Sequence, residues 1–255
     1  MKHIAIIQAR TTSSRLPGKV LLPLCEKSII QNITERISRS ALLDEVIIAT
    51  SSDKSDDVID QLCRKNNINV FRGSLDNVLE RFYLCALKHN ADVIIRCTAD
   101  NPFVDAEIID NAIKTFKNLD LDYLSYKKQL PLGMSVEVFS FAALKKAYNK
   151  ATDNECLEHV TPYIVDNPSL FRTLKYNDTA AEDNSKTRLT VDTPEDYELA
   201  SLLYDYFGSN NFHYPDLMQV LLEHPEWKSI NSNVRQKTTQ YKGEFNEGRS
   251  NEGTF

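Results

Sequence analysis

The chain has 255 residues, a formal net charge of −6 and 42% hydrophobic residues, which suits one α/β domain with a continuous core and excludes a general nucleic-acid-binding surface. Cys25, Cys63, Cys85, Cys97 and Cys156 are odd in number and lack C-x-x-C spacing, so a disulfide framework or zinc site is not expected and a reducing, cytoplasmic setting fits. No apolar run reaches membrane-spanning length, and the run after Lys2 ends too soon, at Gln8 and Arg10, for a signal peptide.

Ile4–Ile7 is an apolar run that predicts a buried strand. It leads into a loop from Gln8 to Leu21 that carries Arg10, Arg15 and Lys19 together with Thr and Ser hydroxyls, Pro17 and Gly18. Hydroxyls and backbone N–H groups donate to phosphate oxygens, Gly18 allows close backbone approach, and the cations supply charge against the acidic balance of the chain. The loop is not a P-loop, because Gly18-Lys19 is followed by Val20. A polyanion cradle and a solvated basic loop both fit these residues.

Apolar spacing predicts a helix over Ser28–Ser40, a strand at Val46–Ala49, a helix over Asp56–Lys65 and a strand at Ile68–Phe71. Successive βα units imply a parallel sheet, on which binding residues gather beyond the carboxyl ends of the strands. Thr50 and Asp53 fall on that rim, and both residue types also cap helices. Gly73 permits a turn before a helix ending near His89. Ser74, Asp76 and Arg81 there read either as ligand contacts at a helix start or as an ordinary capped helix with Arg81 on a wet face.

Ala91–Arg96 is the next strand, and Asn101-Pro102 forces a turn just beyond it. Asp100 therefore stands at the strand's carboxyl end, as a rim carboxylate or as a turn-stabilising residue. Asp105 caps a helix through Phe116. Strands follow at Asp122–Ser125 and Ser135–Phe139, separated by a polar excursion over Lys127–Met134. Helices are predicted at Phe141–Tyr148 and Glu155–Val165. The second carries His159, a residue that is structural in most helices and here also a substrate-pocket candidate.

Leu170–Lys175 and Arg188–Val191 read as strands with a polar loop, Asn177–Lys186, between them. Thr193 suits an N-cap, Pro194 the first helical position and Asp196 the return bond of a capping box. Asp192 is thus left outside the helix, free for other work. Helices over Tyr197–Phe207 and Pro215–Glu223 complete a domain of residues 1–230. Residues 231–255 are polar and without periodicity, which predicts a flexible tail.

Several separated motifs occur in one order: Ala9-Arg10 with Arg15-Leu16-Pro17-Gly18-Lys19; Gly73-Ser74-x-Asp76-x-Val78-Leu79-x-Arg81; Asp100-x-Pro102-Phe103-x-Asp105; Pro131-x-Gly133 with Val136-Glu137-Val138-Phe139; Glu158-His159-Val160-Thr161-Pro162-Tyr163; and Val191-Asp192-Thr193-Pro194-Glu195-Asp196. Together they resemble the nucleotidyltransferases that activate sugar acids with CTP, nearest the SpsF-like branch of spore-coat polysaccharide biosynthesis. The 3-deoxy-manno-octulosonate and acylneuraminate cytidylyltransferases are more distant relatives. Gln8 stands where many relatives have Pro, and Ala99 where the family has Gly.

The resemblance implies a mostly parallel, Rossmann-like α/β sheet sandwiched by helices, of nucleotide-diphospho-sugar transferase type, with a small inserted strand region. It implies Mg²⁺ held by Asp100 and Asp192, and catalytic Arg10, Arg15 and Lys19 on the triphosphate. The expected nucleotide-binding set is Ala9, Arg10, Ser14, Arg15, Gly18, Lys19, Thr50, Asp53, Ser74, Asp76, Arg81 and Thr98. Glu137 and His159 are the acceptor-pocket candidates. The implied reaction moves CMP from CTP to a small acidic sugar or sugar-like acceptor with release of pyrophosphate, in a homodimer that binds neither nucleic acid nor membrane. A glycosyltransferase with a nucleotide-sugar donor and a non-catalytic nucleotide-binding protein of the same fold are the alternatives. The Arg15–Lys19 motif weighs against the first, since a diphosphate donor calls for less cationic charge.

Overall fold

The computed structural model describes residues 1–127, 129–176 and 182–236. Part of the predicted polar loop, 177–181, and most of the predicted tail, 237–255, lie outside the described residues.

The predicted βα units all form. Strand β1 (His3–Gln8) leads through the basic loop to a hairpin absent from the sequence reading, β2 (Pro23–Leu24) and β3 (Lys27–Ser28). Helix α1 (Ile29–Ile37) starts at Ser28, which forms a capping box with Gln31. Then come β4 (Glu45–Ser51), α2 (Asp57–Lys65), β5 (Asn69–Gly73), α3 (Val78–Lys88) and β6 (Val93–Thr98). Helix α4 (Ala106–Asn118) is capped by Asp105, whose carboxylate accepts from Glu107 N at 2.8 Å. Beyond it lie β7 (Tyr123–Tyr126), β8 (Val136–Ser140) and α5 (Phe141–Lys150). The chain finishes with α6 (Asn154–His159), α7 (Pro162–Val165), β9 (Thr173–Tyr176), α8 (Pro194–Phe207), α9 (Tyr214–Glu223) and α10 (Trp227–Ile230).

Among the described residues seven strands make one sheet in the order β5-β4-β1-β6-β8-β7-β9. Pairings are parallel except those of β8, which runs against both β6 and β7. Alternation in β1 splits the core between the two faces. Ala5 and Ile7 join the cluster under α1, α2, α4, α8 and α9, whereas Ile4 and Ile6 join the one under α3, α5, α6 and α7. Burial on both faces is why the strand reads as an unbroken apolar run. The carboxyl ends of β1, β4, β5 and β6 share one rim, and the reversed β8 brings its first residues there, with Glu137 opposite Arg96.

Two predicted elements come out differently. Glu155–Val165 is not one helix: it breaks between α6 and α7, where Val160 takes φ 72° and ψ −53° and Thr161 N donates to His159 O at 2.9 Å. That is a γ-turn of the strained hand. Pro162 has no N–H to continue the hydrogen bonding of α6 and instead opens α7 at its first position, and a fully buried Val160 side chain holds the turn in place. Arg188–Val191 does not join the sheet either. It is extended, touches Leu132 through an isolated bridge, and donates from Val191 N to Asp100 O at 2.8 Å.

Gly133 makes that docking possible. It has φ +100°, and a Cβ there would lie 2.8 Å from Thr190 N and 2.9 Å from Leu189 O. Gly133→Ala combines backbone strain with overpacking against main chain that cannot yield, so a loss of ~3 kcal/mol is expected. Urea denaturation would show it as a lower midpoint at unchanged slope.

Candidate active site

The basic loop folds back on itself at the end of β1. Ser13 N and Gly18 N donate to Thr11 O at 3.0 and 2.9 Å, and Gly18 (φ 69°) turns the chain into a short 3₁₀ segment that begins with Lys19. Nothing lies within 4 Å of a Cβ placed on Gly18, so its left-handed backbone rather than space calls for glycine there.

A buried carboxylate that the sequence reading passed over fastens the loop. Asp56 accepts from Thr11 N at 2.7 Å and Thr11 Oγ1 at 2.9 Å, and on its other oxygen from Ser51 Oγ at 2.5 Å. Burial alone would raise its pKa, but the Ser51 and Thr11 bonds outweigh it and hold the group below its ordinary value of 3.8. A carboxyl depressed by folding stabilises the fold above its unfolded pKa, and the gain disappears as pH falls through the folded value. Asp56→Ala should therefore cost ~3 kcal/mol near neutral pH. Its gap from the parent chain in urea melts should shrink in acid below the ordinary carboxylate range.

Past the loop lies a cleft of about 260 Å³ lined by residues from β1, β6, α3 and α6. At its floor, Lys19 Nζ donates to Asp100 Oδ2 and Asp192 Oδ1, both at 2.7 Å. Thr98 Oγ1 donates to the other oxygen of Asp100, and Arg15 Nη2 sits 2.9 Å from the other oxygen of Asp192. The two aspartates thus converge on one cation although 92 positions part them, because Val191 N is tied to Asp100 O.

Asp192 is held from behind. Arg188 Nη2 donates to Asp192 Oδ2 at 2.8 Å, and the same guanidinium forks onto Asp196 at 2.7 and 3.0 Å. Asp196 accepts in addition from the backbone of Asp192 and Thr193 and from Asn231 Nδ2. Gln236 accepts from Arg188 Nη1, so residues beyond α10 complete this network. Burial would raise the Asp192 carboxyl, but the Lys19 bond and charge, with Arg15 and Arg188, hold it below the usual range.

Of the residues singled out from sequence, Ala9, Arg10, Ser14, Arg15, Lys19, Arg81, Thr98, Asp100, His159 and Asp192 line the cleft. Arg10 is exposed, with Glu158 Oε1 3.9 Å away, a separation worth little in water. Arg81 is buried and donates to Ser74 O at 2.8 Å, its Nε has no partner among the described residues, and desolvation lowers its pKa to about 10. The strained turn at Val160 presents His159 to the cleft. Gly18 stands behind Lys19 as its N-cap.

The other sequence candidates are not among the lining residues. Thr50 is fully buried, and Asp53 caps a short 3₁₀ turn by accepting from Ser55 N at 2.8 Å. The Ser74 hydroxyl accepts from Asn77 N at 3.0 Å in the turn before α3, and Asp76 is exposed beside it. Glu137 lies behind the cleft in a polar cluster with Arg96, Tyr123 and Thr161. Burial pushes its carboxyl up, and the Arg96 charge and these hydrogen bonds bring it below the ordinary range. Arg96 also donates to Gln8 Oε1 at 3.2 Å, which links Glu137 to the lining. Among the described residues one trio, Asp105, Glu107 and His213, has metal-ligating atoms close together. There the Asp105 carboxylate is engaged as a cap, accepting from Glu107 N and Tyr214 N.

Sequence reasoning missed Asp56, Glu158 and Arg188. The signal for Arg188 was present in its spacing, four residues before Asp192 and eight before Asp196. Asp56 carried none, since the loop it fastens through Thr11 lies 45 positions away.

A rim of parallel strand ends, a cationic loop and two convergent carboxylates define a nucleotidyltransferase-type α/β enzyme. The chain belongs to the cytidylyltransferase family, whose model, described as "Cytidylyltransferase", matches residues 4–224. It is 42% identical over 238 residues to an uncharacterized protein of Methanocaldococcus jannaschii, covering 93% of this chain and 98% of the relative. The spore coat polysaccharide biosynthesis protein SpsF of Bacillus subtilis is 37% identical over 227 residues, covering 87% and 94%. A cytidylyltransferase structure from Leptospira borgpetersenii superposes with a TM-score of 0.84 at 33% identity, over 93% of this chain and all of that one. Among the described residues no helix is long and apolar enough to cross a membrane.

Proposed function

We propose that this enzyme transfers CMP from CTP to a hydroxyl of a small acidic sugar or sugar-like acceptor, releasing pyrophosphate, as a cytoplasmic step of surface polysaccharide biosynthesis. The observation that carries the reading is the convergence of Asp100 and Asp192 on one cation beside the loop of Arg10, Arg15 and Lys19. Membership of the cytidylyltransferase family and the likeness to SpsF support the nucleotide and the pathway.

The donor set fits magnesium. Two hard carboxylate oxygens that already share one positive centre suit a divalent ion whose other positions go to water and phosphate. Asp100 and Asp192 would hold Mg²⁺, which when bound draws charge from the attacked phosphorus. This chain's own part is largely electrostatic. Arg15 and Lys19 reach the floor of the cleft and Arg10 its mouth, where they neutralise the charge of the leaving pyrophosphate. Arg81, buried with an unpartnered Nε, is placed to donate to the nucleotide, and His159 with Glu158 faces the acceptor side. Glu137 supports the wall through Arg96 and Gln8 rather than touching a substrate. The enzyme works as a homodimer and needs neither nucleic acid nor membrane.

Pyrophosphate release with CTP, other nucleoside triphosphates and a panel of acidic sugars tests the reading. Release with CTP and one acceptor class is the expected result. Turnover of a nucleotide sugar without pyrophosphate would instead establish a glycosyltransferase.

A further inference from the structure

Lys19 is the only group shared by both aspartates in the contacts of the described residues, and it takes the two oxygens that face each other. The outward oxygens are otherwise engaged: Thr98 Oγ1 donates to Asp100 Oδ1, while Arg15 and Arg188 occupy Asp192 Oδ2. The Lys19 side chain is only 10% exposed, so its ammonium is largely stripped of water and relies on these two anions. Its backbone is set by the left-handed turn at Gly18, but the charge sits on a four-carbon stem with several rotatable bonds.

We propose that Lys19 is a built-in counter-cation for the aspartate pair, and that it couples metal binding to nucleotide binding. The inference rests on the metal and nucleotide roles proposed above. A divalent ion cannot take both facing oxygens while the ammonium holds them. The ammonium cannot leave without uncovering the one oxygen of each carboxylate that it holds unless another cation replaces it, and it needs a new anion itself. The triphosphate supplies that anion. Ion and nucleotide therefore exchange with Lys19 together, each raising the affinity for the other by the same factor. The free enzyme is then a poor binder of metal alone, and a metal–nucleotide complex is its proper ligand.

Mn²⁺ binding to the nucleotide-free, full-length chain, read by electron paramagnetic resonance and water-proton relaxation, tests this. Lys19→Met should bind Mn²⁺ at least about tenfold more tightly than the parent chain, within the usual range of such couplings. Mn²⁺ should raise the melting temperature of Lys19→Met and leave that of the parent unchanged. Adding Asp100→Asn should abolish the gain. Should Lys19→Met fail to fold by circular dichroism, Lys19→Gln keeps a hydrogen bond to the pair and removes the charge, with the same expected direction. A folded variant with parental Mn²⁺ affinity overturns the proposal. A second arm separates it from its premise: Mn²⁺–CTP is titrated into the parent chain and into Asp100→Asn. Equal binding there means that Asp100 is no metal ligand, and both ideas fall. Binding that needs Asp100, with no gain in either Lys19 variant, removes the coupling alone.

Discussion

Asp100→Ala is expected to lower turnover by ~10³-fold or more while the fold persists. The carboxylate stands outside the hydrophobic core at the end of β6, and its backbone carbonyl, which receives Val191 N and Thr190 Oγ1, is untouched by the change. Lys19 keeps Asp192 as a partner at 2.7 Å, so no buried cation is abandoned. Chemistry and stability should therefore separate: a near-parental urea midpoint with pyrophosphate release reduced to background. Release at the native rate would show that Asp100 is not needed for the reaction, and the proposed site would have to be abandoned. Asp100→Asn, close in shape, should fail almost as completely, because the requirement is for charge rather than volume.

Arg188→Met should fail in the opposite way, through the fold. Arg188 is buried and serves two acidic groups, Asp192 and the fully buried Asp196 side chain. Removing the cation strips the buried Asp196 of its ion-pair partner and leaves Asp192 with only Lys19 and Arg15, a class of change that costs ~3–5 kcal/mol. The expected result is a large drop in the urea midpoint, with activity lost even at temperatures where the variant is folded, because Asp192 is no longer held toward Lys19. Arg188→Lys should recover only part of the stability, since an ammonium cannot fork onto Asp196 through Nε and Nη2. A variant as stable as the parent chain would mean that the bracket behind Asp192 is ornamental.

Arg188 also marks the limit of what local sequence can say. Its fork onto Asp192 and Asp196 depends on the 188–191 segment being extended, and that extension exists without a neighbouring sheet strand. The β-prone run Leu189-Thr190-Val191 reads as a strand and is buried, yet its backbone partners are Leu132 and Asp100 rather than a sheet strand. Likewise Glu155–Val165 reads as one helix from its apolar spacing, but Pro162 and the buried Val160 impose a break, and His159 at the end of α6 lines the cleft. Thr50 and Asp53 were legible as rim residues and as caps. The structure places Thr50 inside β4, fully buried beside β5, and Asp53 as the cap of a short 3₁₀ turn.

By itself the sequence determined the local elements and the kind of chemistry. Apolar runs dictated the buried strands, 3.6-residue spacing the helices, and the cations of the opening loop together with aspartates left over from capping marked where charge would gather. Those signals are short-range, so they survive without knowledge of the fold. What only the tertiary structure decided was which distant groups meet. Asp100 and Asp192 share one ammonium because the main chain of Val191 docks on that of Asp100, over the bare backbone of Gly133. Asp56 reaches the basic loop because parallel pairing sets β4 beside β1. Such meetings arise from backbone pairing and close packing across the sheet, which leave no periodic trace along the chain.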